Sequence, residues 1–152
     1  MDTQQAHLIR RKLTNLTAYV KELAPYLSAS YQEHRERPGN RRIVERLAQV
    51  IVECAIDING MLLISTEQPP AQSARQSFEA IHQLGIIDEH LLPRFRRYVG
   101  MRNRIVHDYD RLDNRTLFYS ARRLLDDARA YIVQVHGYLE AIGKAGRKAP
   151  PS

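Results

Sequence analysis

Apolar residues recur along this chain with a helical period almost from end to end. Ile9, Leu13, Leu16, Val20, Leu23 and Leu27 are spaced four and three apart, one stripe that predicts a first long helix. Pro25 is expected to end or kink it, because a proline inside a helix removes a backbone donor and crowds the preceding turn. Ser30-Tyr31-Gln32-Glu33 has the form of a capping box and opens a short basic helix that stops at Pro38-Gly39. A second long helix is predicted from about Arg41 to Ser65. Ile43, Leu47, Ile51, Cys54, Ile58 and Met61 or Leu62 hold its apolar face; Val44, Ala48, Val52 and Ala55 widen it, which makes this helix central to the core. Residues 66–72 read as a loop. Ser73-Ala74-Arg75-Gln76 is another capping box, for a helix that ends at Gly85. Asp88 caps the next helix, which runs toward His107 with Pro93 near its first turn. The last helix starts near Asn114 and continues toward Gly143, with Leu117, Ala121, Leu124, Ala128, Tyr131, Val135, Tyr138 and Ile142 in strict four–three alternation. No segment alternates with period two. The pattern predicts an all-α, antiparallel up-and-down helical bundle with short accessory helices. It forms one domain over residues 1–143, followed by a mobile basic tail over 144–152.

A chain of 152 residues with 43% hydrophobic positions can bury one real core. The balance of 23 Lys and Arg against 17 Asp and Glu leaves +6. That sign favours an anionic partner but also serves solubility, so it names no function. Cys54 is the single cysteine, which excludes a disulfide framework, and its place on an apolar stripe reads as a small buried hydrophobe. No apolar run approaches the roughly 20 residues that cross a bilayer, and MDTQQAHLIRRKL lacks a signal-peptide core. A soluble cytoplasmic protein with no membrane contact is expected. There is no phosphate-cradling glycine loop, no His-Glu-x-x-His and no G-x-S-x-G. The six histidines include no pair at close ligand spacing, so no metal is expected.

One segment concentrates chemistry. Gly100-Met101-Arg102-Asn103-Arg104-Ile105-Val106-His107-Asp108-Tyr109-Asp110 packs cations, an amide, an imidazole, carboxylates and a phenol into a helix end and the turn after it. Arg102 and His107 are five apart and do not share a face of an ideal helix, whereas Asn103 and His107 form an i, i+4 pair. Asn103 can therefore orient the His107 ring, and Arg102 joins the same site only if the helix end distorts or a second subunit completes it. The plainer reading is a solvated basic helix terminus, where the macrodipole favours cations.

The run Arg102-Asn103-Arg104-Ile105-Val106-His107-Asp108-Tyr109 resembles the R-x4-H-x-Y motif of HepT-like toxins, within the HEPN superfamily of small all-α proteins. Glu45 to Ile58 resembles that family's second helix, and Phe78 to Ile87 the stretch before its motif helix. The resemblance implies a HEPN-like fold and a metal-independent, cofactor-free ribonuclease toxin of a type II toxin–antitoxin pair, cutting RNA through attack of a 2′-hydroxyl. It implies a homodimer in which two motif copies face each other. His107 is then general base or acid and Arg102 holds the scissile phosphate. The chemistry is consistent: an imidazole titrates near neutrality, and a guanidinium binds phosphate bidentately. Asn103 would orient His107 or touch RNA. The implied partner is a minimal nucleotidyltransferase (MNT-type) antitoxin that transfers AMP onto Tyr109.

Glu53 and Asp57 lie at i, i+4 on one helical face, where two carboxylates repel. They either support the Arg102–His107 site or sit solvated on the helix's polar side. Arg94, Arg96, Arg97 and Arg104 either face RNA or form a solvated helix surface. The rival to the toxin is a HEPN-like module that binds a nucleotidyltransferase or a nucleotide without chemistry. A helical adaptor would explain the bundle but not the polar cluster.

Overall fold

In the computed structural model, which describes residues 1–148, the chain forms six α-helices and no strand among those residues. They are α1 (Thr3–Leu27), α2 (Tyr31–Glu36), α3 (Asn40–Ser65), α4 (Ala74–Gln83), α5 (Leu91–His107) and α6 (Asn114–Lys148). A 3₁₀ turn over Tyr109–Arg111 joins α5 to α6.

Side-chain bonds at the helix starts hold their boundaries. Asp2 and Gln5 form a reciprocal capping box on α1. Ser30 accepts from the Glu33 amide and Ser73 from the Gln76 amide. Asp88 Oδ1 accepts from the amides of His90 and Leu91, and Asp113 Oδ2 from the amide of Thr116. Each satisfies a donor that the first turn of a helix leaves unpaired. Gly85, at φ 76°, takes the left-handed conformation that ends α4.

Contacts between the long helices fix their directions. Lys12 meets Asp57 while Tyr26 lines a hollow with Ile43, so α1 runs against α3. Arg10 meets Glu140, and Arg122 donates to the Leu27 and Ala29 carbonyls, so α1 also runs against α6. Arg94 binds Asp127 and Asp88 binds Gln134, so α5 opposes α6. The bundle is up-and-down, with α4 bridging α3 and α5. α3 packs against every other helix. It is long and apolar enough to cross a membrane, yet half of that stretch is buried inside the bundle.

Three local expectations change. α1 continues through Pro25 to Leu27: in the last turn, the missing donor and the crowded carbonyl disturb little helix beyond them. The apolar face of α3 is buried as expected at Val44, Ala48, Ile51, Val52, Cys54, Ala55, Ile58 and Leu62, but not along one edge, where Ile43 is exposed and Leu47 and Met61 are half-buried. The last helix does not stop at Gly143 but runs to Lys148, so 144–148 are helical where a tail was expected; 149–152 lie outside the described residues.

One polar network crosses the apolar centre. The buried Tyr131 hydroxyl donates to Asn59 Oδ1 (2.6 Å), Asn59 Nδ2 donates to Ser77 Oγ (3.0 Å), and Ser77 donates to the Ala74 carbonyl (2.6 Å). It links α6, α3 and α4.

Candidate active site

The chemistry-bearing segment occupies the C-terminal half of α5 and the turn beyond it. His107 is the last residue of α5 and is exposed; its ring forms no hydrogen bond. Arg102 is half-buried, and its Nε is shut away from solvent without a hydrogen-bond partner. Burying a guanidinium N–H unpaired is costly, and no acceptor within the protomer offsets that cost. Arg102 and His107 stand about 140° apart around the helix axis. Between them, Asn103 and Val106 are exposed. No hydrogen bond joins Asn103 to His107 within the protomer, so the orientation expected of Asn103 is not made there.

Tyr109 opens the 3₁₀ turn and is 47% exposed. Its hydroxyl donates to Glu45 Oε1 (3.2 Å). Glu45 is buried on α3 and also accepts from Arg41 Nε (2.7 Å). Arg41 Nη2 donates to the Leu112 carbonyl (2.8 Å), and its guanidinium lies 5.2 Å from the centre of the Tyr109 ring. This clamp fastens the turn to α3. Sequence reasoning missed Arg41 and Glu45. The available signal was a carboxylate one residue past Val44 and three before Ala48, on what proves to be the buried face, with a cation four residues earlier.

The family model for Ribonuclease HepT-like proteins matches residues 16–135. The chain belongs to the HepT-like ribonuclease family. The HepT-like chain is 26% identical to the tRNA nuclease HepT of Aphanizomenon flos-aquae over 132 residues, covering 87% of this chain and 90% of that protein. It is 31% identical over 91 residues to a putative RNase of Archaeoglobus fulgidus, covering 60% and 68%. Its fold matches the tri-AMPylated HEPN toxin of Shewanella oneidensis, solved in complex with its MNT antitoxin. The TM-score is 0.78 at 22% identity, with 90% of this chain and 99% of that one covered. It also matches the Bacillus subtilis cytosolic protein YutE, with TM-score 0.73, 12% identity and coverage of 94% and 95%.

In this HepT-like protein Glu53 and Asp57 do not join the Arg102–His107 segment. Asp57 faces Lys12 on α1 (3.4 Å), and Glu53 accepts from Gln49 (3.0 Å). The hollow they line, with Asn15, Tyr19 and Arg46, includes no residue of α5 or its turn. They sit on the polar side of α3, the second of the two positions expected, and that side faces α1. The arginine run divides as well. Arg94 binds Asp127 (2.8 Å) and Arg96 binds Glu79 (3.0 Å), while Arg97 and Arg104 form no ion pair. Burial pushes the Cys54 thiol up, and it donates to the Lys12 carbonyl (3.6 Å), so it is a packed thiol rather than a nucleophile. No cluster of three or more His, Cys, Asp or Glu able to hold a metal occurs among the described residues.

Proposed function

We propose that this protein is a metal-independent endoribonuclease, the cytoplasmic toxin of a toxin–antitoxin pair, active as a homodimer. The observation that carries the reading is the half-buried Arg102 and the exposed His107 on one end of α5, in a chain that matches the HepT-like ribonuclease family over residues 16–135. The guanidinium binds the scissile phosphate and neutralises the charge that develops on it. One imidazole takes the proton of the 2′-hydroxyl as that oxygen bonds to phosphorus. A second protonates the 5′-oxygen as its bond to phosphorus breaks, leaving a cyclic phosphate. Two proton-transfer roles need two imidazoles, and a twofold axis beside the exposed Asn103–Val106 face supplies them. Asn103 then stands where RNA or the partner copy passes. Glu53 and Asp57 have no step in this mechanism.

The same turn carries control. The family membership and the AMPylated Shewanella relative support Tyr109 as the acceptor of AMP from an MNT-type nucleotidyltransferase antitoxin. The phenolic oxygen bonds to the α-phosphorus of ATP and pyrophosphate leaves. The attached anion competes with RNA for Arg102 and repels its backbone.

The test is cleavage by purified protein. His107→Ala is expected to abolish it with an unchanged helical spectrum, Arg102→Lys to lose most of it, and chelation by EDTA to leave it intact. Light scattering should give a dimer. Intact-mass and peptide spectra of protein co-expressed with the antitoxin should show AMP on Tyr109, which Tyr109→Phe removes. Undiminished cleavage by His107→Ala would leave the non-catalytic, partner-binding module as the better reading.

A further inference from the structure

The proposed chemistry leaves the groove between α5 and α6 without a role. Two hollows of about 300 and 350 Å³ adjoin there and share Arg97 and Ser120. In the first, the carboxylate of Asp127 is already engaged by Arg94 and by the Tyr98 hydroxyl, and Asp126 pairs with Arg129 at the rim. In the second, Arg75, Arg97 and Arg104 line the walls with Thr116 and Ser120, and no carboxylate is present. Its apolar lining, Met101, Leu112 and Leu117, is buried, so the groove presents guanidinium and hydroxyl groups. The guanidinium groups of Arg97 and Arg104 form no hydrogen bond or ion pair. The Arg75 guanidinium lies over Gly100 of α5, with Nη2 3.4 Å from where a Cβ would stand.

The groove also reaches the site. Arg104 and His107 are i, i+3 neighbours on α5, and Leu112 closes the turn that carries Tyr109. A docking protein helix would need exposed apolar sockets, which this surface lacks; a polyanionic strand needs unpaired cations and a hydroxyl free to donate, which Arg97, Arg104 and Ser120 supply, the Thr116 hydroxyl being already given to Asp113. We propose that the α5–α6 groove holds the phosphodiester backbone of single-stranded RNA flanking the scissile bond, through Arg97, Arg104 and Arg75. The proposal rests on the ribonuclease reading, and it makes these arginines substrate-binding groups in addition to the Arg102 and His107 of the motif.

The experiment compares a dinucleoside monophosphate with a long single-stranded RNA, using Arg97→Gln/Arg104→Gln in the full chain. The variant should melt like the wild type and turn over the short substrate unchanged. Its KM for long RNA should rise roughly tenfold, and the slope of log affinity against log salt should fall by about 1.4, two phosphate contacts' worth. Arg11→Gln/Arg35→Gln, which removes the same charge from α1 and α2, should leave KM unchanged. Three results overturn the groove: an unchanged KM and salt slope for long RNA; an equal loss on the short substrate, which would put the arginines in the chemistry; or loss of antitoxin binding with RNA affinity intact. A wild-type chain that cleaves neither substrate sinks the ribonuclease reading instead, and the groove is then judged by the RNA-binding slope alone.

Discussion

Replacing Arg41 by methionine keeps the aliphatic stem and deletes the guanidinium that fastens the Tyr109 turn. Two hydrogen bonds go, both donated by the charged guanidinium: one to the Glu45 carboxylate, whose side chain is only 10% exposed, and one to the Leu112 carbonyl. Such a bond contributes about 1.5–3 kcal/mol. Arg41 itself is about one-third exposed, so both belong at or below the low end. The cation over the Tyr109 ring adds about 0.5 kcal/mol. Glu45 meanwhile stays buried, with Tyr109 as its one remaining partner. The expected loss is about 2–3 kcal/mol, which for a domain of this size lowers Tm by about 5–10 °C. Hydrogen exchange should localise it: amides of 108–112, where Arg111 and Leu112 donate within the turn, should open faster, while those of α3 and α6 keep their protection. Arg41→Lys should recover little, because an ammonium cannot reach Glu45 and Leu112 together in that fixed fork. A double-mutant cycle with Glu45→Gln should show coupling of about 1 kcal/mol or more. If Arg41→Met melts within about 2 °C of the wild type and turn exchange is unchanged, the clamp does not hold the turn.

The remaining predictions concern the core and its titration. Tyr131→Phe strips a fully buried Asn59 of its donor and should cost about 1–3 kcal/mol, read by denaturant unfolding; a loss below about 0.5 kcal/mol would mean water replaces it. The Leu91 amide holds the Asp88 carboxyl below its usual range, and the Thr116 amide does the same for Asp113. Their stabilisation is present above the unfolded carboxylate value and is lost as pH falls through the lowered folded values, so melting should weaken in acid and Asp88→Asn should flatten that slope. Burial, then the bond to Asp127, raises the Tyr98 hydroxyl, and burial raises that of Tyr131. That stability is complete below the unfolded tyrosine value of about 10 and declines as pH rises toward the folded values. A spectrophotometric titration should therefore show two phenolates appearing only with loss of helix, and one after Tyr98→Phe.

Much of the bundle was legible because the stripes on α1 and α6 are narrow. Each has one apolar face, so period alone fixed which residues turn inward, and Ile9 to Leu27 and Leu117 to Val135 are buried as read. At α3 the reading was looser at one edge. Its apolar residues spread over a broad face, so period could not fix where that face stops, and Ile43 and Leu47 are less buried than read. Glu53 and Asp57 took the helix's polar side, facing α1, while Glu45 went under Tyr109. The motif segment was legible by its chemistry, but Arg41 was not: its bond to Leu112 joins positions 71 apart, which helical spacing does not encode. At Pro25 the local rule was right in kind and wrong in reach, because a proline in a final turn has little helix left to break.

The Tyr131–Asn59–Ser77 network then acquires a second meaning. The apolar face of α3 is broad, bounded by the polar stripe Arg42, Arg46, Gln49, Glu53 and Asp57, so apolar burial alone sets its angle only loosely. Only one angle brings Asn59 between Tyr131 and Ser77, and turning the helix by one residue, about 100°, would strand an amide in hydrocarbon. The network is thus an index pin for α3. Fourteen residues away along the same rigid rod it decides that Glu45, and not Val44 or Arg46, points at Tyr109, two residues past His107.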